Sequence, residues 1–117
     1  MRMNEVQYDD SRPVDGYGPG FFRVGGNVMQ GPVLLLPSGP RNWDGLEAVA
    51  PLVAAAAEVD VLFLGMGAEI AHAPAALRQA VEDAGAGLEV MASPSACRTY
   101  NVLLSEGRRI GAALLPV

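Results

Sequence analysis

Short apolar runs alternate with helical patterns in the second half of the chain, and this alternation restricts the possible folds more than any other feature. Buried strands are predicted at residues 61–64, 88–91 and 109–115, and helices at 74–84 and within 93–109. Each helical crossover must return the chain over one face of a sheet with a right-handed turn. The order therefore predicts an α/β fold with a mainly parallel sheet covered by helices.

The N-terminal part of the chain predicts β structure of another kind. Residues 14–30 are short extended pieces separated by glycines, and Gly25-Gly26 has the composition of a hairpin turn. Residues 32–36 are a continuous apolar run closed by Pro37, which is typical of a strand buried on both faces. Because the 14–30 meander has no helical crossovers, we expect it to be a small β addition at one edge of the sheet.

Two segments connect these halves. Residues 38–44 are predicted to form a loop whose tryptophan, Trp43, covers the edge of the core, with ligand stacking as the alternative. Residues 46–57 are rich in alanine and helical in propensity. Because proline is tolerated in the first turn of a helix but not in its interior, the regular part should follow Pro51.

The stretch 93–109 carries the residues that suggest chemistry. Ser93 can cap a helix there, and Gly107 can end it. At 100° per residue, one side gathers a buried face: Ala96, Tyr100, Leu103 and Leu104. The adjoining flank gathers Cys97, Arg98, Asn101 and Ser105. Cys97 thus lies in the first turn, where unpaired backbone N–H groups and the helix dipole favour a thiolate.

Composition restricts the cellular setting and the partners. A chain of 117 residues predicts one domain, 1–117, and it contains neither an apolar run long enough to span a membrane nor an N-terminal signal core. We therefore expect a cytoplasmic protein that does not insert into membranes. A formal charge of -5 argues against nucleic acid as a partner. One cysteine and one histidine argue against a disulfide or a metal site, and no pattern predicts a cofactor.

Each suggestive residue has a structural interpretation beside the functional one. Cys97 can simply border the core, and a nucleophile and base pair with His72 lacks an identifiable third group. The turn formed by Gly65, Met66 and Gly67 follows a strand, where it can approach a ligand or let a helix pack closely. Arg108 can form solvated ion pairs or fold back to bind a carboxylate or phosphate. The sequence leaves these alternatives open.

Several motifs of the chain resemble those of a known family. They are Ala96-Cys97-Arg98-Thr99-Tyr100-Asn101-Val102-Leu103-Leu104, Glu106-Gly107-Arg108-Arg109, Ala112-Ala113-Leu114-Leu115-Pro116, and upstream Gly16-Tyr17-Gly18, Gly31-Pro32-Val33-Leu34, Trp43 and Leu64-Gly65-Met66-Gly67. Together they closely resemble a family of small Mth-type domains of unknown function. That family includes the mitochondrial complex I assembly factor 3 and an adipogenesis-associated cytosolic protein. The likeness covers nearly the whole chain.

The resemblance implies a three-layer α/β fold with a central mixed sheet, a last strand antiparallel to the others, and a small N-terminal β layer. It also implies a binding protein, because the mitochondrial member helps to build a respiratory membrane complex and bacterial members are associated with genes for membrane protein export. This chain departs from the family pattern at Met66, where threonine is usual, and at Ala92-Ser93, where Asp-Thr is usual. Both departures remove polar groups and weigh against catalysis.

Two functional hypotheses follow. The first is a noncatalytic binding or assembly factor whose protein partner belongs to a membrane-complex assembly or export machinery. Its docking surface is predicted to contain Gly65, Gly67, Cys97, Arg98, Asn101 and Arg108. The second is a small-molecule-binding protein or a thiol-dependent enzyme that uses Cys97. Exposed sheet edges are also compatible with a homo-oligomer.

Overall fold

The computed structural model describes residues 10–117 of the chain. The expectation about a signal segment concerns residues 1–9, which lie outside the described part. The strands are β1 (Val14–Gly18), β2 (Phe21–Val24), β3 (Asn27–Gln30), β4 (Val33–Leu36), β5 (Gly39–Asn42), β6 (Val61–Met66), β7 (Gly87–Met91) and β8 (Ile110–Leu115). The helices are α1 (Ala50–Ala55), α2 (Ala75–Asp83) and α3 (Ser93–Ser105).

The central sheet is mixed and has the strand order β5-β4-β8-β6-β7. Strands β6, β7 and β8 are parallel, so that Leu64 lies between Val90 of β7 and Ala113 of β8. The antiparallel strand is β4, which pairs with β8 on one side and β5 on the other. The expectation that the last strand would run antiparallel to the others is therefore wrong. The crossover through α3 returns the chain parallel to β6, as the strand and helix alternation requires.

The sheet is the middle of three layers, as predicted. Helices α1 and α2 cover one face, where Leu34 and Leu36 of β4 point. Helix α3 and the small antiparallel sheet β1-β2-β3 cover the other face, where Val33 and Leu35 point. Because side chains alternate along a strand and both faces are covered, β4 is apolar throughout. The N-terminal meander thus forms part of an outer layer on a face of the central sheet, and the expectation that it would be added at one edge of that sheet is wrong.

The ends of α3 differ in how well the sequence predicted them. Gly107 ends the helix as expected: its φ is +76°, and the N–H groups of Gly107 and Arg108 donate to the carbonyls of Leu104 and Leu103. The capping role expected of Ser93 is wrong. Ala92 occupies the N-cap without a side-chain hydrogen bond, and the hydroxyl of Ser93 is used elsewhere.

The turn at Gly25-Gly26 forms the predicted hairpin between β2 and β3, with both residues at positive φ. The predicted loop at 38–44 is only partly correct, because four of its residues form the edge strand β5. Pro40 lies within that strand, and proline is compatible with an edge position. Trp43 is buried in the core beneath α1 and α2, and its Nε1 donates to the Ala48 carbonyl at 3.0 Å. Its covering role is confirmed.

Within residues 10–117, none of the helices combines the length and the apolar character needed to cross a lipid bilayer.

Candidate functional site

Helix α3 holds the small sheet in place through two polar side chains. The Asn101 amide accepts a hydrogen bond from the Val14 N–H at 2.9 Å and donates one to the Val14 carbonyl at 2.8 Å. At the preceding position, the hydroxyl of the fully buried Tyr100 donates to the Arg12 carbonyl at 2.9 Å. Asn101 was predicted to belong to a docking surface. Its amide is committed to the backbone of β1, so its contribution to that surface is to position the strand.

Where β1 passes over α3, the two elements leave a shallow cavity of about 210 Å³. We call it the β1–α3 groove, and it is lined by Val14, Asp15, Gly16, Tyr17, Pro94, Cys97, Arg98 and Asn101. It contains three of the six residues predicted for the docking surface. The helical flank proposed from the sequence therefore does border an open space, which the first β-strand completes.

The thiol of Cys97 lies at the base of this groove rather than on an exposed flank. Cys97 is only 4% exposed and belongs to the same buried cluster as Ala96 and Tyr100. Burial raises the pKa of the thiol from its ordinary value of 9.0 to about 11, and the nearby Arg98 charge and a backbone hydrogen bond offset only part of this effect. The expectation of a thiolate at the helix start is therefore wrong. The small sheet covers the flank and removes the solvent that would stabilise the charge.

Arg98 is the cation of the groove. Its side chain is exposed, and among residues 10–117 it has neither an ion-pair nor a hydrogen-bond partner. Asp15 is the groove's anion, and its carboxylate accepts a hydrogen bond from the Gly26 N–H at 2.6 Å. The groove thus presents a guanidinium that is unpaired within residues 10–117, a protonated thiol and the half-exposed ring of Tyr17.

Gly65 and Gly67 lie in a separate, buried arrangement at the carboxyl ends of the central strands. The Ser93 hydroxyl donates to the Leu115 carbonyl at 2.6 Å and accepts from the Gly67 N–H at 2.9 Å. The Ser93 N–H donates to the Gly67 carbonyl at 2.8 Å. This arrangement, which we call the Ser93 knot, joins the ends of β6 and β8 to the start of α3. The packing interpretation of the glycine turn accounts for its geometry.

The remaining sequence candidates are distributed over the molecule. Arg108 is exposed just after the end of α3, outside the groove. His72 lines a different cavity, beside α2 and β7, so it cannot act on the Cys97 thiol as a base. The sequence did not single out the β1 side of the groove, which includes Asp15 and Tyr17. The signal for them was indirect: the apolar residues Val14, Phe22 and Val24 of β1 and β2 need a surface against which they can be buried.

The burial of Cys97 predicts a slow thiol. At neutral pH, a shift of the pKa from 9.0 to about 11 lowers the thiolate fraction about 100-fold. We expect iodoacetamide to alkylate the native protein at least about 100-fold more slowly than the same chain unfolded in urea. Mass spectrometry measures both rates, and the single cysteine of the chain makes the signal unambiguous. Native and unfolded rates within tenfold of each other would contradict the buried, protonated thiol.

Comparison with known proteins places the chain in a defined group. The family model described as "Protein of unknown function (DUF498/DUF598)" matches residues 14–115. An uncharacterised protein of Rhodobacter capsulatus is 49% identical over 117 residues, which are all of this chain and 94% of that protein. The NADH dehydrogenase (ubiquinone) 1 alpha subcomplex assembly factor 3 of Danio rerio is 32% identical over 86% of this chain and 62% of its own length. The chain thus spans less than two thirds of that assembly factor.

Solved structures agree with the fold. A Bartonella henselae protein described as an outer membrane protein has a TM-score of 0.83 at 29% identity, covering 92% of this chain and 97% of its own. A Rhodopseudomonas palustris protein has a TM-score of 0.77 at 31% identity, covering 100% and 93%. A Bordetella pertussis protein described as a Mth938-like domain has a TM-score of 0.75 at 23% identity, covering 99% and 92%. This last likeness concerns the fold alone.

Proposed function

Because this chain belongs to the DUF498/DUF598 family of proteins of unknown function and is a distant relative of complex I assembly factor 3, we propose that it is a noncatalytic binding protein. Its β1–α3 groove docks a partner protein that presents a carboxylate to Arg98. The partner belongs to the assembly or export machinery of a membrane complex, and the encounter takes place in the cytoplasm.

The single observation that carries the proposal is the state of Arg98. An exposed guanidinium with five N–H donors has no ion-pair or hydrogen-bond partner among residues 10–117. Arginine is enriched in protein interfaces because its planar group binds carboxylates with two parallel hydrogen bonds. An exposed arginine at the rim of a concave surface, unpaired within the described part of the chain, fits recognition of an acidic group.

The rest of the groove favours binding over catalysis. The Cys97 thiol is protonated at neutral pH, the Asn101 amide is committed to Val14, and the Asp15 carboxylate is held by the Gly26 N–H. None of these groups is an activated nucleophile or a base directed at one. Tyr17, 44% exposed on the groove wall, supplies the apolar and aromatic contact that interface centres contain.

Photo-crosslinking from the groove wall tests this function. We expect p-benzoylphenylalanine at position 17 to capture a specific protein from native lysate, and Arg98→Glu to reduce that product at least about tenfold, since it replaces an attraction by a repulsion. The matched control has the photo-crosslinker at position 28. Val28 is similarly exposed, at 49%, but lies on β3, outside the groove. Quantitative mass spectrometry identifies and measures each product.

Arg23→Glu provides a second control, because Arg23 is exposed on β2 and does not line the groove. It makes the same change of charge and should leave the product at position 17 unchanged. A product that forms equally from positions 17 and 28, or that Arg98→Glu leaves intact, would refute the groove as the docking surface. A product composed of two copies of this chain would replace the proposed partner by self-association.

A further inference from the structure

A second cavity lies beside β7, separate from the β1–α3 groove. It has a volume of about 360 Å³, within the range of about 300–1,000 Å³ found for small-ligand pockets. The loop before α2, the helix itself and the strand form its walls. The lining residues are Ile70, Ala71, His72, Ala73, Arg78 and Val90. We call it the α2–β7 cavity.

The cavity lies at the end of the sheet where open α/β proteins bind ligands. The chain leaves β6 for α2 on one face of the sheet, whereas it leaves β7 for α3 on the opposite face. Ligands of such sheets bind outside the carboxyl ends of the strands, where successive connections diverge. The Ser93 knot fills this position above β6 and β8. The α2–β7 cavity lies next to it, lined by residues 70–73, which follow β6, and by Val90 near the end of β7.

Its lining combines aliphatic surface with basic groups and contains no carboxylate. Ile70 is 72% exposed at the cavity wall, so a ligand that covered it would gain the free energy of removing apolar surface from water. Arg78 and His72 are the polar side chains of the lining. Two basic side chains without a carboxylate beside them in the lining contrast with the formal charge of -5 of the whole chain. Together with the aliphatic wall, they favour a ligand with an apolar body and a negative group.

Arg78 is placed to bind that negative group. Its Nη1 lies 3.2 Å from Glu82 Oε2 and 3.3 Å from the Leu88 carbonyl. Both distances exceed the roughly 2.7–2.9 Å of strong charge-assisted hydrogen bonds. The side chain is 44% exposed, and a guanidinium has five N–H donors, so Arg78 retains donors for a second carboxylate.

From this geometry we propose that the α2–β7 cavity binds a small aliphatic monocarboxylate. The carboxylate binds Arg78, with His72 at the polar rim, and the alkyl chain covers Ile70 and Val90. Glu82 competes for the same guanidinium and holds it in place while the cavity is empty of ligand. This site is independent of the groove and of the partner proposed for it.

Titration with hexanoate, followed by amide chemical shifts, tests the proposal on the full chain. We expect saturable shifts centred on residues 70–73, 78 and 90, with a Kd of about 1 mM or below for a ligand of this size. Hexan-1-ol has the same alkyl chain without the charge, and it should bind at least about tenfold more weakly. Shifts centred elsewhere, or equal affinities for the two probes, would overturn the carboxylate site.

Three variants separate the charge of Arg78 from the shape of the cavity. Arg78→Met should weaken hexanoate about tenfold and leave hexan-1-ol unchanged. Glu82→Gln removes the competing carboxylate and should tighten hexanoate binding, a gain that loss of structure could not produce. Arg41→Met, on the opposite edge strand β5, is the matched control and should change neither affinity. Unchanged hexanoate affinity in Arg78→Met, or weakened affinity in Glu82→Gln, would contradict the role of Arg78.

Discussion

Replacing Tyr100 with alanine is expected to lower the free energy of unfolding by about 4 kcal/mol, the loss typical of a buried aromatic side chain. Tyr100 of α3 is fully buried where the helix meets the small sheet. It belongs to the cluster that joins Phe22 and Val24 to the central strands. The variant leaves a cavity there and deprives the Arg12 carbonyl of its hydrogen bond. Urea unfolding followed by the fluorescence of Trp43 and by circular dichroism measures the loss.

Tyr17→Ala is the matched control for this variant, because Tyr17 is 44% exposed and its removal leaves no buried cavity. We expect it to change stability by less than about 1 kcal/mol. Trp43 lies in the core cluster on the other face of the central sheet. Its fluorescence therefore shows whether weakened packing of α3 on its own face also unfolds the core on the face covered by α1 and α2. A loss of less than about 2 kcal/mol for Tyr100→Ala would mean that this layer contributes little to stability.

The second large effect is expected at Gly65, where alanine should cost about 3 kcal/mol, as overpacking of a well-packed core does. A Cβ atom there would lie 2.6 Å from Ser93 Oγ, 2.9 Å from the Ser93 Cα and 2.9 Å from Leu114 Cδ2. One of these atoms belongs to the backbone, so a side-chain rotation cannot relieve the contact. The start of α3 must shift, which strains the hydrogen bond that the Ser93 hydroxyl accepts from the Gly67 N–H and the one that it donates to the Leu115 carbonyl.

Gly16→Ala is the control, since nothing lies within 4 Å of the corresponding Cβ and its φ is not positive. Thermal unfolding of both variants gives the comparison. Equal melting temperatures would show that the space around Gly65 can expand without cost, and the Ser93 knot would then be looser than its distances indicate. The expected difference instead assigns the glycine a steric role, independent of any ligand.

Much of the fold could be predicted from the sequence because its signals are local. Gly107 ends α3 and Gly25-Gly26 turns the hairpin because glycine adopts positive φ without strain. The continuous apolar run of β4 predicted burial on both faces, and the resemblance predicted the family and the three layers. Strand orientation was different: the alternation of strands and helices predicted a mainly parallel sheet but left the orientation of the last strand open. The resemblance implied an antiparallel last strand, and this was wrong, because β8 runs parallel to β6.

The site was harder to predict, because it depends on what the small sheet covers. The angular position of Cys97 on α3 is close to that of the polar Asn101, and helical periodicity cannot show that β1 crosses this flank and buries the thiol. For Ser93, the preference for N-caps is a local rule, but two backbone groups at the ends of β6 and β8 required its hydroxyl instead. The edge strand β5 was missed because proline and arginine give it no strand-like composition.

The paired hydrogen bonds between Asn101 and Val14 have a consequence for the behaviour of the protein in concentrated solution. A primary amide offers one donor and one acceptor side by side, as a peptide unit of an adjoining strand would. Asn101 therefore occupies the lateral bonding position of β1 that another polypeptide could otherwise use to extend the sheet. The side chain of Asn101 thus blocks strand addition at Val14, the first residue of the edge strand β1.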